Sequence, residues 1–212
     1  MIKLVDVNLA YNGETVFEKF SLEVKKGAKA VILGKSGLGK SSFFSLILGF
    51  VTPDKGKVFF DGNLVDEKSV WDVRKKVAYV DQDVSIGDGN VSHWLDFVSR
   101  LKANGSVGFD RKKVKDFLDF FELGVNVLGK DVSELSGGER QRLAIIVSVL
   151  LERKVFILDE VTSSLDKHLR RKVVHYFVER DDWTVVVISH DTVWLDNPRV
   201  KVFDLEVGKW RQ

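Results

Sequence analysis

The chain has 212 residues, enough for one domain or for two lobes that share a core. Hydrophobic residues make up 44% and charged residues 30%, which excludes a disordered tail and a fibre. The 33 basic and 31 acidic residues nearly cancel, so charge gives no reason to expect nucleic-acid binding. The absence of cysteine excludes disulfides, thiol catalysis and cysteine-ligated zinc. No apolar run approaches the roughly 18 residues of a membrane span, and we expect a cytoplasmic protein.

In the first 82 residues, short strand patterns surround one glycine-rich loop. Alternating apolar and polar residues predict strands with one exposed face, and continuous apolar runs predict buried strands. An apolar-rich helix follows the glycine-rich loop. The predicted elements are strands at 2–7, 16–24, 28–33, 58–61 and 77–80, and a helix at about 40–50.

Beyond residue 82 the pattern is first helical and then alternates between helices and strands. Residues 83–138 lack the pattern of a buried strand, so we expect a helical lobe inserted into the core. The last third alternates buried strands with helices, which predicts a mainly parallel sheet covered on both faces. The predicted elements are helical segments at 91–123, 139–151 and 167–179, and strands at 155–158, 184–189 and 200–205.

The strongest motif is the glycine-rich loop GKSGLGKSS at Gly34–Ser42. It fits the pattern G-x-x-x-x-G-K-[ST] and lies between a predicted buried strand and a helix, as that pattern requires. Its backbone N–H groups can curve around phosphate oxygens at the positive end of the helix. Lys40 can reach the β and γ phosphates, and the Ser41 hydroxyl can bind Mg²⁺. A chance glycine-rich turn is the alternative, and the flanking strand and helix argue against it.

Two carboxylates end the apolar strand VFILDE. Asp159 falls at the carboxyl edge of the predicted sheet, where it would face the phosphates and hold Mg²⁺ directly or through water. Glu160 points in another direction and can act as the general base that activates the attacking water. Taken alone, such an acidic pair is equally well a solvated turn. Together with the phosphate loop, it predicts nucleotide hydrolysis.

A third motif, LSGGERQR at Leu135–Arg142, places a serine and two glycines at the start of a helix. A lone SGG is usually a helix cap, but here the whole chain resembles the ATP-binding cassette (ABC) ATPases, whose signature reads LSGGQ or LSGGE. Each further family motif could be an ordinary packing or loop residue by itself, but together they occur in the family's order. They are the adenine-stacking aromatic at Tyr11 with Val16 beside it, the Q-loop glutamine at Gln82, the D-loop at Ser163–Asp166 and the switch histidine at His190.

The resemblance implies an α/β P-loop fold of ABC type, with an N-terminal antiparallel β subdomain, a mainly parallel core and an inserted helical lobe. A single domain would span 1–212, with the core at 1–82 and 139–212 and the lobe at about 83–138. The family also implies an Mg²⁺-dependent ATPase that works as a homodimer or with a related cassette. Each ATP would lie between the phosphate loop of one subunit and the signature of the other. The implied site residues are, for catalysis, Glu160, His190, Gln82 and Lys40; for ATP, Tyr11, Val16, Gly34, Lys35, Ser36, Gly37, Leu38, Gly39, Lys40, Ser41 and Ser42; for the partner's ATP, Leu135, Ser136, Gly137, Gly138 and Glu139; for the D-loop, Ser163, Ser164, Leu165 and Asp166; and for Mg²⁺, Ser41, Gln82 and Asp159.

Family members couple ATP to a separate membrane subunit, so the resemblance implies a cassette held by that permease at the inner face of the cell membrane. Asp81 stands where proline is frequent, and Val161 stands where import cassettes usually carry proline, which favours export. The stretches DEVTSSLD and VKDFLDFFELG look most like the ATPase subunits of compact two-component exporters proposed to handle iron. An ABC-type ATPase with a signalling or mechanical role is the alternative, and the sequence leaves it open.

Overall fold

A computed structural model of the chain describes residues 1–105 and 107–211. The strands are β1 (Ile2–Tyr11), β2 (Glu14–Val24), β3 (Lys29–Leu33), β4 (Lys55–Phe60), β5 (Asn63–Leu64), β6 (Val77–Val80), β7 (Val155–Asp159), β8 (Thr184–Ile188), β9 (Val200–Asp204) and β10 (Lys209–Trp210). The helices are α1 (Lys40–Ile47), α2 (Val70–Lys76), α3 (Val91–Arg100), α4 (Arg111–Phe120), α5 (Gly137–Leu150), α6 (Lys167–Val178) and α7 (Thr192–Leu195). Short 3-10 turns lie at Lys102–Asn104, Val125–Gly129 and Val132–Glu134. Across the described ranges, none of the helices is long and apolar enough to cross a membrane.

The smaller sheet is antiparallel and contains four strands in the order β2-β1-β4-β5. In β1, apolar side chains such as Ile2 and Leu4 are buried while their sequence neighbours are more exposed, so one face of the sheet meets the core and the other meets solvent. The strand predicted at 58–61 belongs to this sheet, where it runs from Lys55 to Phe60 and pairs with β1.

The larger sheet contains six strands in the order β10-β9-β3-β8-β7-β6, and all neighbours are parallel except β10. Every residue of β7 and β8 is buried, because both faces of the sheet are covered. One face packs with α1 against the antiparallel sheet, and the other packs against α5, α6 and the helical lobe. The carboxyl ends of β3, β6, β7 and β8 therefore meet at one edge, the usual place for a ligand in such folds.

The helical lobe is built from α3, α4 and short 3-10 turns. Its helices are capped by the side chains of Asn90 and Asp110, each of which accepts a hydrogen bond from a backbone N–H in the first turn. Among its described residues there is no strand, only one isolated bridge between Asn90 and Asp131. The predicted α/β fold with an inserted helical lobe is thus confirmed, and its exact residue bounds stay a prediction.

Several element boundaries differ from those predicted. The segment predicted as helical over 91–123 is two helices, α3 and α4, separated by turn and loop. Helix α5 begins at Gly137 and not at Glu139, because Ser136 is its N-cap and forms a capping box with Glu139 across the two glycines. Four short elements were not predicted at all: α2, α7, β5 and β10.

Candidate nucleotide site

A cavity of about 570 Å³ opens at the carboxyl edge of the larger sheet. It brings together residues that are far apart in the sequence, from both sheets and from the loops after β3, β6, β7 and β8. Most of the predicted site residues are in its wall. The lining residues are Tyr11, Val16, Ser36, Gly37, Gly39, Lys40, Ser41, Ser42, Gln82, Asp159, Glu160, Ser163, Ile188 and His190.

The glycine-rich loop joins the buried end of β3 to α1. Gly39 is the N-cap of α1 and has a φ of +83°, a left-handed conformation that favours glycine. A Cβ at this position would lie 2.3 Å from the Cγ1 of Val16, so the turn needs a residue without a side chain. Lys40 folds back over the loop, and its Nζ donates to the Gly34 carbonyl at 2.7 Å. The first residues of α1, Lys40–Ser42, line the cavity, where the N–H groups of a helix start would stabilise an anion.

Asp159 is the last residue of β7 and is only 5% exposed. Burial and, after it, the nearby negative charges of Asp81 and Glu160 raise the pKa of this carboxyl to about 6, while Lys40 opposes them. A bound cation would favour the ionised form of such a crowded carboxylate. The hydroxyl of Ser41, the amide of Gln82 and this carboxylate supply oxygen donors around one cavity, which is the donor type that Mg²⁺ prefers.

Glu160 has an unusual backbone for a residue with a side chain, with a φ of +47°. Its N–H donates to the Ile188 carbonyl at 2.9 Å, which ties it to the end of β8. The Oε1 of Glu160 lies 4.0 Å from the Nε2 of His190, and that nitrogen lies 3.0 Å from the Nζ of Lys40. The Lys40 ammonium can only donate, so Nε2 would be the acceptor in this contact.

The start of the loop at Gln82 is fixed by the neighbouring aspartate. The Oδ1 of Asp81 accepts from the Gln82 N–H at 2.8 Å and from the Tyr79 hydroxyl at 3.1 Å. Burial and the Asp81 charge raise the pKa of Tyr79, so its hydroxyl stays a donor at neutral pH. Tyr79 in turn packs edge-on against Phe44 of α1. Asp81 thus restrains the start of this loop with two hydrogen bonds.

The signature residues do not line the cavity. Ser136 and Gly137 are exposed at the start of α5, and Leu135 is buried beneath them. The Ser136 side chain accepts from the Glu139 N–H at 3.2 Å, and the Glu139 carboxylate accepts from the Ser136 N–H at 2.8 Å. An ion pair of 2.8 Å with Lys130, together with the Ser136 N–H, lowers the pKa of Glu139 to about 2. Within one subunit the signature is therefore an exposed, well-ordered helix start outside the cavity.

The other predicted residues also divide between the cavity and its surroundings. Of the D-loop, Ser163 lines the cavity, Leu165 is buried, and Asp166 caps α6 by accepting from two backbone N–H groups. Tyr11 is 42% exposed at the cavity rim, as an adenine-stacking residue would be. In the glycine-rich loop, Gly34, Lys35 and Leu38 are not in the wall, and Lys35 points outwards to an ion pair with Glu206 at 3.2 Å.

Sequence reasoning missed one polar residue that organises this region. Gln141 is 2% exposed and binds the backbone on both sides of the turn after β7. In the sequence it is one polar residue in the first turns of a helix, which usually faces solvent. No local pattern distinguishes it, and only the position of the turn in space makes its contacts visible.

A strand, a glycine-rich loop and a helix that face two carboxylates across the edge of a parallel sheet define a P-loop nucleoside triphosphatase. The sequence profile of the family described as ABC transporter matches residues 17–163. The probable iron export ATP-binding protein FetA of Escherichia coli (strain K12) is 28% identical over 194 residues, which cover 90% of this chain and 85% of that protein.

Two further relatives extend the comparison. The ATP-dependent lipid A-core flippase of Ralstonia nicotianae (strain ATCC BAA-1114 / GMI1000) is 32% identical over 213 residues, or 95% of this chain and 36% of the flippase. This chain thus spans about a third of the flippase. The dimeric structure of MJ0796, a bacterial ABC transporter cassette, is 26% identical, covers 97% of this chain and 95% of that chain, and superposes with a TM-score of 0.83.

The chain belongs to the ABC transporter family, as an ATP-binding cassette with ATPase activity. The predictions of fold class, of family and of ATP as the nucleotide are confirmed. The roles of individual site residues, the Mg²⁺ ion and the membrane partner stay predictions.

Proposed function

We propose that this chain hydrolyses ATP as one of two paired cassettes and that a separate membrane permease uses the resulting movement to export a substrate. The observation that carries the proposal is the division within one subunit. The phosphate loop, the carboxylates and His190 share a cavity, while Ser136 and Gly137 are exposed outside it. A second cassette would supply the missing side of the site, with its signature against the phosphates.

The chain's own residues have distinct parts in this reaction. The N–H groups of Gly34–Ser42 and the Lys40 ammonium bind and orient the phosphates. Ser41, Gln82 and Asp159 would hold Mg²⁺, which when bound neutralises charge that develops on the transferred phosphoryl group. Tyr11 would stack on the adenine, and Val16 would pack beside it.

Two further side chains act where the bond to the γ-phosphate breaks, one on the attacking water and one on the phosphate. The Glu160 carboxylate accepts its proton as general base. The imidazole of His190 lies between Glu160 and Lys40 and would bond the γ-phosphate. Both side chains lie in the wall of the same cavity, and the Glu160 carboxylate is 19% exposed, so water can reach it.

Several features favour export and a membrane location. The relative FetA is described as a probable iron export protein, and it has nearly the same length as this chain. Val161 directly follows Glu160, at the position where import cassettes usually carry proline, and this difference favours export. We therefore place the cassette at the inner face of the cell membrane, bound to the permease. We also propose that the chain is a single domain with a core at 1–82 and 139–212 and a helical lobe at about 83–138.

Glu160→Gln tests the hydrolytic part of the proposal. The amide cannot accept the proton, so we expect steady-state ATPase turnover to fall at least about 10²-fold, the usual contribution of a general base. The dissociation constant for Mg²⁺–ATP should stay within about twofold, because the amide keeps the size of the side chain. A malachite-green phosphate assay and equilibrium binding of labelled ATP measure the two quantities. Turnover that survives the substitution would contradict the assigned base.

The same variant tests the membrane partner. Tagged Glu160→Gln protein, held with Mg²⁺–ATP, should retain a multi-span membrane protein in stoichiometric amount from detergent-solubilised native membranes. Lys40→Ala is the control, since it loses the phosphate contact and should retain the partner without nucleotide dependence. Recovery of soluble proteins alone would contradict the permease and favour the signalling or mechanical alternative.

A further inference from the structure

Gln141 is a buried amide that connects two segments with separate parts in the proposed reaction. It lies in the first turns of α5, three residues after Gly138 of the signature, and it is 2% exposed. Its side chain reaches the turn after β7, which carries Glu160 and the D-loop. Gln141 is not in the wall of the nucleotide cavity. Any effect on the reaction therefore passes through the residues that it holds.

The amide uses both of its ends. Its Nε2 donates to the Glu160 carbonyl at 3.0 Å and to the Ser163 hydroxyl at 3.4 Å, and its Oε1 accepts from the Ser164 N–H at 3.1 Å. The orientation of the amide is fixed by these partners, because a carbonyl can only accept and a backbone N–H can only donate. A residue that lacks either end cannot make the same set of bonds.

Glu160 needs such support because its backbone is in the left-handed region, with a φ of +47°. A residue with a Cβ persists in this conformation only where its surroundings hold it. The Ile188 carbonyl binds its N–H at 2.9 Å, and its own carbonyl accepts from the Ser163 N–H at 3.0 Å and from Gln141. Within the described residues, Gln141 thus supplies the one hydrogen bond to Glu160 that comes from the signature helix.

The opposite side of the same turn is anchored on the core. Arg170 of α6 donates to the Leu165 carbonyl at 2.6 Å and to the Ser163 carbonyl at 3.2 Å. On the signature side, a Cβ at Gly138 would lie 3.1 Å from the Ser164 carbonyl oxygen, so α5 and the D-loop are in close contact. The turn is consequently fixed between α6 and α5, and a shift of α5 changes only one of these attachments.

We propose that Gln141 is a positioning residue that sets the Glu160 carboxylate according to where the signature helix lies. The proposal rests on the proposed function, in which the signature contacts the ATP of the partner cassette. Displacement of the start of α5 on that contact moves the Gln141 amide, and the amide moves the backbone of Glu160. Each active site then responds to the ATP that its signature binds.

Gln141→Met is the principal test. Methionine has a similar length and volume but neither bonds the Glu160 carbonyl nor accepts from Ser164. We expect the turnover number, per nucleotide-binding site, to fall about tenfold or more. This is the effect expected from the loss of one hydrogen bond of ordinary strength to the Glu160 carbonyl. The dissociation constant for Mg²⁺–ATP and the KM should stay within about twofold, because no phosphate-binding residue is touched.

Gln141→Glu separates the two ends of the amide. A carboxylate can still accept from the Ser164 N–H, but it cannot donate to the Glu160 carbonyl, so turnover is compared up to about pH 9, where a buried carboxyl ionises. We expect a fall in turnover as large as that of Gln141→Met. Wild-type turnover in this variant would overturn the proposal, since it would show that the bond to Glu160 is dispensable.

Ser148→Ala is the matched control on the same helix. Ser148 is 3% exposed, and its hydroxyl donates to the Ile145 carbonyl at 2.7 Å, away from Glu160. It should lower the melting temperature without changing turnover per binding site. If Gln141→Met lowers only the melting temperature, as this control does, Gln141 is a packing residue and the proposal is wrong. If the wild-type protein has no ATPase activity, or if its activity survives Glu160→Gln, it is the proposed function that is wrong.

Discussion

At the scale of single residues, the signature contains a carboxylate whose charge is strongly stabilised. The Lys130 ammonium, 2.8 Å away, and the Ser136 N–H lower the pKa of Glu139 from an ordinary 4.5 to about 2. A carboxyl with a lower pKa in the folded protein stabilises the fold above its unfolded pKa, and this contribution is lost as the pH falls through both values. Between about pH 4.5 and pH 2 the free energy of unfolding should therefore decrease in part through Glu139.

Glu139→Gln isolates this contribution. Near neutrality the variant should be less stable than the wild type, and the difference should narrow as the pH falls through that window, because protonated Glu139 loses the same ion pair. Urea denaturation at several pH values measures it. Glu134→Gln is the control, since Glu134 accepts from the Asp131 N–H in an equivalent cap and makes no ion pair within residues 1–105 and 107–211. Parallel pH profiles for wild type and Glu139→Gln would contradict the prediction.

Residue-level prediction from the sequence succeeds where the chemistry is encoded in consecutive positions. The glycine-rich loop and the Asp159–Glu160 pair are local patterns, and the structure places most of them in one cavity. The hydrogen bonds of Gln141 and Asp81 could not be predicted in this way. The partners of Gln141 lie in another element, and those of Asp81 depend on the exact backbone of a loop. The conformation of Glu160 was equally invisible, since nothing in the sequence VFILDEV requires a left-handed residue.

At the scale of elements, the pairing of β1 with β4 depends on one close backbone approach. Gly56 has a φ of +86°, and a Cβ there would lie 2.4 Å from the Asp6 carbonyl oxygen. The contact falls at the irregularity in the β1–β4 register, between Val5 and Asn8. The carbonyl belongs to the backbone and cannot rotate away, so only glycine fits.

Gly56→Ala should consequently destabilise the antiparallel sheet. We expect a loss of about 3 kcal/mol, from a left-handed alanine at about 1–2 kcal/mol and from steric overlap at about 1–3 kcal/mol. Gly62→Ala is a control for the backbone alone, because Gly62 has a φ of +82° but no atom within 4 Å of the added Cβ. It should cost about 1–2 kcal/mol. Thermal and urea unfolding compare the two, and equal losses would contradict the steric argument.

The elements that the sequence predicted are those with long, regular patterns. The buried strands β3, β7 and β8 are continuous apolar runs and were located to within a residue or two. The strands β5 and β10 contain two residues each, too few for a period, and α2 mixes apolar and charged residues over only seven positions. The order of strands in the larger sheet depends on contacts between distant segments, which periodicity does not specify.

At the scale of the whole molecule, the separation of the signature from the nucleotide cavity makes a prediction about assembly. Gly137 is exposed, has an ordinary helical backbone, and leaves room for a side chain, since its nearest neighbour to an added Cβ is the Ser164 hydroxyl at 3.9 Å. A glutamate in the first turn of a helix is favourable for that helix. The same carboxylate would repel the phosphates of ATP on a partner cassette.

In a Glu160→Gln background, Gly137→Glu should therefore keep ATP binding and the melting temperature but abolish the Mg²⁺–ATP-dependent dimer. Size-exclusion chromatography with light scattering measures the mass with and without nucleotide. Gly129→Glu is the matched control, because a Cβ at Gly129 meets nothing within 4 Å and the charge change is identical. It should dimerise as the parent does. A dimer that forms equally well with Gly137→Glu would show that the signature does not meet the partner's ATP.

The left-handed backbone of Glu160 has a consequence for engineering. Methods that improve stability replace residues in unfavourable backbone conformations, and glycine suits a φ of +47° better than glutamate does. Such a method would select this position early and would remove the proposed general base together with the strain. The residue in the unfavourable conformation is the one to which we assign the proton transfer, so a thermostable version of this cassette should gain its stability elsewhere.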